Sequence, residues 1–131
     1  MKKLLAFLFS IFISFNSYGE WTQITEDENH VDFYYVDKES IIKNAGYVYY
    51  WELADFDKSL SKEVIVMSAM AYKQVDCQMN RYNILSDYYY SNQMGNGELV
   101  HQSDVPDTEW TYVLPDSIVS ELHNYICAYV K

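Results

Sequence analysis

The sequence predicts an α+β fold in which short strands are followed by one C-terminal helix. Turn signals such as Asn44-Ala45-Gly46 divide the chain into short runs rich in tyrosine and valine, which are typical of strands. Two prolines and four glycines in 131 residues leave no linker, as expected for one compact unit. The segment after Pro115 instead has apolar residues at helical spacing.

The first nineteen residues have the three parts of a secretory signal peptide. Lys2 and Lys3 form a basic start, residues 4–15 are apolar, and residues 17–19 (Ser-Tyr-Gly) form a small-x-small cleavage site. The apolar run of about 12 residues is shorter than the roughly 20 that a membrane-spanning helix needs. We therefore predict a signal peptide over 1–19 and one domain over 20–131, located in the periplasm or at the cell surface. No cysteine lies at the junction, so no lipid anchor is expected.

Six segments have the composition of strands. Asp37 is expected to cap a short helical turn over residues 38–41, because its side chain accepts hydrogen bonds from free backbone N–H groups. Residues 55–63 form a polar loop, and Asn96-Gly97 predicts a tight hairpin turn because both residues tolerate positive φ. The predicted strands begin at Trp21 and then cover 31–37, 47–56, 64–77, 79–90 and 98–102.

The terminal helix has one broad apolar side. At 100° per residue, six of its side chains fall within an arc of roughly 120°, which is wide enough to lie on a sheet. Cys127 projects outside this arc, so either the helix unwinds just before it or a bridge forms at the helix flank. The six residues are Ile118, Val119, Leu122, Tyr125, Ile126 and Tyr129.

The two cysteines, Cys77 and Cys127, are predicted to form a disulfide. An even count without metal-type spacing in an exported chain indicates a disulfide more than a metal site. The disulfide would close a loop of about 51 residues between the two cysteines. On the chain-entropy model, closing a loop of this length stabilises the fold by roughly 4 kcal/mol.

Both faces of the predicted sheet are apolar. If Cys77 is bonded to Cys127, the residues of its strand with the same parity face the helix; they are Ile65, Met67, Ala69, Ala71 and Val75. The opposite row contains Val64, Val66, Ser68, Met70 and Tyr72, and nothing in the chain is predicted to cover it. We therefore predict an interaction face that contains Val66, Met70, Tyr72, Tyr50 and Tyr89.

Charge and motifs exclude several classes of function. The nineteen acidic residues all lie after residue 19, with seven of the nine basic ones, which gives residues 20–131 a formal net charge of −12. Such a chain disfavours nucleic acid as a partner. His30, His101 and His123 have no metal-binding spacing and are expected to contact solvent. No nucleophile elbow, phosphate loop or calcium loop is present, so we predict no enzyme, cofactor or metal site.

A series of short motifs runs through the chain after residue 19. It includes Trp21, Tyr35-Val36-Asp37, Ser40-Ile41, Trp51, Leu53, Asp55-Phe56, Asp76-Cys77, Met94-Gly95-Asn96-Gly97-Glu98, Trp110, Pro115-Asp116-Ser117-Ile118 and Cys127. In this order the motifs resemble the surface-adhesin protein E family of small exported bacterial proteins. The resemblance implies a Gram-negative source and a curved antiparallel sheet of about six strands, with the disulfide holding the C-terminal helix to the concave face. It also implies attachment to host matrix proteins.

These observations together predict a non-catalytic exported module that binds a protein, either a partner from the host or cell envelope or a second copy of itself. Thirteen of the fourteen tyrosines follow residue 19. Tyrosine is enriched in binding hot spots, although it also simply fills strands. Two other functions stay open, namely a small secreted enzyme inhibitor that presents residues 104–110, and a structural protein of the periplasm.

Overall fold

A computed structural model describes residues 20–131; the predicted signal peptide lies outside this range. The predicted α+β fold is confirmed, as an antiparallel sheet of eight strands with one C-terminal helix. The strands are β1 (Trp21–Glu26), β2 (Phe33–Asp37), β3 (Ile42–Asn44), β4 (Tyr47–Asp55), β5 (Ser68–Asp76), β6 (Arg81–Tyr90), β7 (Leu99–Ser103) and β8 (Thr111–Tyr112), and the helix is α1 (Ile118–Tyr129).

The sheet has the order β1-β2-β4-β5-β6-β7, and the short strands β3 and β8 pair with β4 and β6. β3 and β8 are additions to the six strands expected from the sequence. β5 begins at Ser68 and not at residue 64, so Val64 and Ile65 precede the strand and are exposed. The polar loop between β4 and β5 is therefore longer than predicted.

Asp37 caps the turn that follows β2, as predicted. Its carboxylate accepts a hydrogen bond from the backbone N–H of Glu39 at 3.1 Å, and a 3₁₀ turn covers Lys38–Ser40. The Ser40 hydroxyl in turn accepts the Trp51 N–H at 2.9 Å, which fastens this turn to β4.

The connection between β6 and β7 is wider than the predicted two-residue hairpin. Asn96 has φ −104°, whereas a tight primed turn would need a positive value there. The left-handed residues are instead Met94 and Gly95, which lie in a 3₁₀ turn over Gln93–Gly95, and Gly97, which follows that turn. We call residues 91–98 the β6–β7 loop.

The core lies between α1 and one face of the sheet. Ser117 caps the helix by accepting the Ser120 N–H at 3.1 Å. Leu122 and Ile126 are buried, and they pack with Val36, Val48, Tyr50 and Val75 of the sheet. Each such side chain stabilises the fold by about 1.5–3 kcal/mol when fully buried.

The predicted disulfide between Cys77 and Cys127 is present, with a Cα–Cα distance of 5.8 Å. It joins the end of β5 to the last turn of α1. The helix continues unbroken to Tyr129, so the bridge forms at the helix flank, which was one of the two alternatives left open by the sequence.

The pairing of β5 with β6 contains a bulge at Leu85. Tyr72 lies opposite Ser86 and Lys73 lies opposite Ile84, so Leu85 has no partner in β5. As a consequence, even-numbered residues of β6 face α1 before the bulge and face away from α1 after it.

Candidate binding face

Six aromatic side chains of β4, β5 and β6 lie on the sheet face opposite α1, which we call the aromatic face. The strand register places them there. Trp51 of β4 lies opposite Tyr72 of β5, and every second residue along a strand points to the same face. All six are half-buried. The six aromatic side chains are Tyr47, Tyr49, Trp51, Tyr72, Tyr88 and Tyr90.

The rings in the middle of this face are in mutual contact. The Trp51 ring lies 5.0 Å from the Tyr72 ring and 5.8 Å from the Tyr88 ring, measured between centroids. The Tyr72 ring also stacks on Tyr49 at 6.3 Å. Such aromatic pairs stabilise by about 0.5–1.5 kcal/mol beyond their burial, so the rings hold each other in place.

The β6–β7 loop covers one end of the aromatic face. The Ser68 hydroxyl donates to the Asn92 carbonyl at 2.6 Å and accepts the Gly95 N–H at 2.9 Å. Gly95 also approaches the side chains of Leu53 and Met70. The expectation that nothing in the chain covers this face is therefore wrong at this end.

Asp55 anchors the same loop. Its carboxylate accepts the Met94 N–H at 2.8 Å. Burial and the nearby charge of Asp32 raise the pKa of Asp55, while the hydrogen bond from Met94 acts in the opposite direction.

A groove of about 540 Å³ opens between the loop and β1. Trp21 lies opposite Asp37 in the β1–β2 register, and these two residues form its far wall. Its volume is within the range typical of ligand sites. The groove is lined by Trp21, Asp37, Trp51, Met70, Tyr90, Met94, Gly95 and Asn96.

Trp110 covers the other end of the aromatic face. Its ring lies 5.4 Å from the Tyr47 ring, and the Arg81 guanidinium is 4.5 Å from its centroid. Arg81 also donates to the Asp76 carboxylate at 2.9 Å. Burial raises the pKa of Asp76, but the hydrogen bonds from Arg81 and from backbone N–H groups outweigh it, so this pKa lies below its usual value.

A buried ionic cluster lies on the opposite side of the sheet, facing α1. The Lys73 ammonium is 2.8 Å from the Glu52 carboxylate and 4.4 Å from the centroid of the Tyr82 ring. The Tyr50 hydroxyl donates to the same carboxylate at 2.6 Å. Burial, with the charge and hydrogen bond of Glu52, raises the pKa of Tyr50 well above its ordinary value.

His123, a residue of α1, is only 5% exposed, so the expectation that it contacts solvent is wrong. His30 and His101 are exposed, as expected. The Nε2 atom of His123 lies 3.3 Å from the Asn80 side-chain oxygen. Burial lowers the pKa of His123; the charge of Lys73 lowers it further, and that of Asp76 partly offsets this.

Residues 21–128 match the family model for surface-adhesin protein E. The chain belongs to the surface-adhesin protein E family. Its members are named as adhesins, which are binding proteins and not enzymes, and the name places them at the cell surface. Across residues 20–131 no helix is long and apolar enough to cross a bilayer.

Solved structures of Haemophilus influenzae protein E have a similar fold. Crystal form II gives a TM-score of 0.64 at 22% identity, covering 83% of this chain and 90% of that chain. The selenomethionine form gives 0.61 at 20% identity, covering 81% and 85%. Protein E from a non-typeable strain gives 0.55 at 23% identity, covering 81% and 75%. No curated protein sequence matches the chain significantly.

Only part of the predicted interaction face lies on the aromatic face of this protein E-like fold. Met70 and Tyr72 lie there. Tyr50 does not, because its register partner is Lys73 on the α1 side, where it is 1% exposed. Val66 lies before β5 and is 5% exposed. Tyr89 pairs with Ala69 and also points to the α1 side.

The sequence-based prediction also omitted residues that the protein E-like fold brings together. Trp51, Tyr88 and Tyr90 share the aromatic face with Tyr72. Tyr88 and Tyr90 are two residues apart in one strand, so strand alternation indicated that they point to the same face. Trp21 and Asp37 reach the groove through the β1–β2 register, for which no local signal exists.

Proposed function

We propose that this chain is an exported, non-catalytic binding module that holds a protein partner on its aromatic face. The observation that carries the proposal is the row of touching, half-buried aromatic rings on the sheet face away from α1. Tyrosine and tryptophan dominate the energetics of protein–protein interfaces, and large exposed aromatic patches mark such interfaces. Membership of an adhesin family supports the same class of function.

The arrangement of the rings favours binding because few of these side chains have to be immobilised when a partner binds. Trp51 and Tyr72 already contact aromatic neighbours, and the Tyr88 hydroxyl donates to Asp104 at 2.6 Å. Fixing a mobile side chain at an interface costs about 0.5–1.5 kcal/mol. Side chains that are fixed in the free protein avoid this cost, so we infer that the face is prepared for a partner.

The partner that we propose is a protein of the host surface or of the cell envelope. An enzyme inhibitor that presents residues 104–110 is less well supported, because the Trp110 ring of that segment is half-buried and packs on Arg81 and Tyr47 at the end of the aromatic face. A periplasmic structural role would not require a free aromatic face.

The test compares two tyrosine variants of the tagged full chain. Tyr72→Ala removes a ring from the centre of the aromatic face, whereas Tyr129→Ala removes an exposed ring from the end of α1. Each protein is used to capture partners from host matrix extract and from cell envelopes, and the affinity for the captured protein is then measured. We expect Tyr72→Ala to weaken binding at least tenfold and Tyr129→Ala to leave it unchanged. Equal binding by the two variants, with both folded by circular dichroism, would overturn the proposal.

A further inference from the structure

Two cations of this chain are each held between an aromatic ring and a carboxylate. Lys73 lies 4.4 Å from the Tyr82 ring centroid and 2.8 Å from Glu52. Arg81 lies 4.5 Å from the Trp110 ring centroid and 2.9 Å from Asp76. An aromatic face and a carboxylate favour a cation for complementary reasons, since the ring quadrupole and the negative charge both attract it.

The groove beside the β6–β7 loop contains the same pair of groups without a cation. Trp21, Trp51 and Tyr90 supply the rings, and Asp37 supplies the carboxylate. One Asp37 oxygen accepts the Glu39 N–H; the other makes no hydrogen bond within residues 20–131. Asp37 forms no ion pair with any residue of that range either.

We propose that this groove receives a lysine or arginine side chain of the protein partner, between the indole rings of Trp21 and Trp51 and the carboxylate of Asp37. The inference rests on the proposed function, because it names the chemistry that the aromatic face recognises. Charge complementarity supports a basic partner, since residues 20–131 have a formal net charge of −12. The electrostatic potential of a negatively charged protein also increases the association rate with a positively charged surface.

The three tryptophans allow a direct test by NMR. The indole N–H signals of Trp21, Trp51 and Trp110 are followed in the ¹⁵N-labelled protein while N-acetyl-arginine amide is added. We expect the Trp21 and Trp51 signals to shift in a saturable manner. The Trp110 signal should stay in place, because Arg81 already occupies its ring. N-acetyl-citrulline amide, which has the same shape without the charge, should cause at most a tenth of the shift.

A matched pair of charge variants locates the cation. Asp37→Asn removes the carboxylate but keeps a side chain that can cap the following turn. Asp107→Asn removes an exposed carboxylate outside the groove. We expect Asp37→Asn to weaken the binding of the arginine amide about fivefold and Asp107→Asn to leave it unchanged.

Several results would overturn the inference. One is equal shifts with the arginine and citrulline amides, and another is the absence of shifts at Trp21 and Trp51. A third is stronger binding of choline chloride than of the arginine amide, which would assign the groove to a quaternary ammonium group. If capture of the partner is lost with Tyr72→Ala but kept with Asp37→Asn, only this inference fails and the proposed function stands.

Discussion

Replacing Glu52 by Gln removes the negative charge beside the Lys73 ammonium while keeping the shape of the side chain. The two side chains are 16% and 6% exposed, so little water can replace the lost charge. Breaking a buried ion pair from one side costs about 3–5 kcal/mol, because it leaves the other charge uncompensated. The Gln amide oxygen can still accept from Lys73, so we expect a loss of about 3 kcal/mol for Glu52→Gln.

Removing both charges together should destabilise the fold by less than the sum of the losses in the two single variants. Lys73→Met keeps the apolar stem that lies on Tyr82 but leaves the Glu52 carboxylate with only the Tyr50 hydroxyl as a close partner. The double variant has no buried charge, and we expect it to lose no more than about 2 kcal/mol. With a loss of about 3 kcal/mol for Lys73→Met as well, the coupling energy between the two sites should be at least about 4 kcal/mol.

Urea unfolding of the disulfide-bonded protein, followed by tryptophan fluorescence, measures these values. With a slope near 1.5 kcal/mol per M, a loss of 3 kcal/mol lowers the midpoint by about 2 M. Glu109→Gln changes an exposed carboxylate in the same way and should stay within about 0.5 kcal/mol of the parent. A coupling energy below about 0.5 kcal/mol would refute the reasoning, because it would mean that solvent already screens the pair.

Two further perturbations test other parts of the fold. The pKa of His123 is lowered, so below pH 6.5 the unfolded chain binds a proton that the folded chain does not, and stability should fall as the pH falls. His123→Gln should flatten this part of the curve of urea midpoint against pH; an unchanged slope in His123→Gln would contradict the assignment. Gly97→Ala would place a Cβ at φ +79° and 2.5 Å from the Ser91 hydroxyl, and we expect it to lower stability by about 2–3 kcal/mol in thermal unfolding. Gly46→Ala meets no atom within 4 Å at a similar φ and should cost about 1 kcal/mol, so equal losses would exclude a steric cause.

Features that depend on neighbouring residues could be predicted from the sequence. Asp37 caps the turn after β2 because its acceptor lies two residues from the donor, whatever the rest of the chain does. Leu122 and Ile126 lie one helical turn apart, so their burial follows from periodicity alone. The bond between Cys77 and Cys127 was expected from the predicted export and an even cysteine count.

The placement of residues across strands could not be predicted in the same way. Register is encoded by alternation only where one face is apolar and the other polar, and β4 is apolar on both faces. Nothing local therefore shows that Tyr50 lies opposite Lys73 while Trp51 lies opposite Tyr72. Lys73 itself was an overlooked signal, since a lone charge between Ala71 and Val75 requires a buried counter-charge such as Glu52.

The bulge at Leu85 determines how the length of β6 can vary. Tyr82 packs in the core while Tyr88 and Tyr90 reach the aromatic face, although all three occupy even positions. Losing or gaining one residue between Tyr82 and Tyr88 would turn the latter two rings beneath α1 and expose their neighbours instead. In homologues that retain the aromatic face, insertions or deletions in this stretch of β6 should therefore comprise an even number of residues.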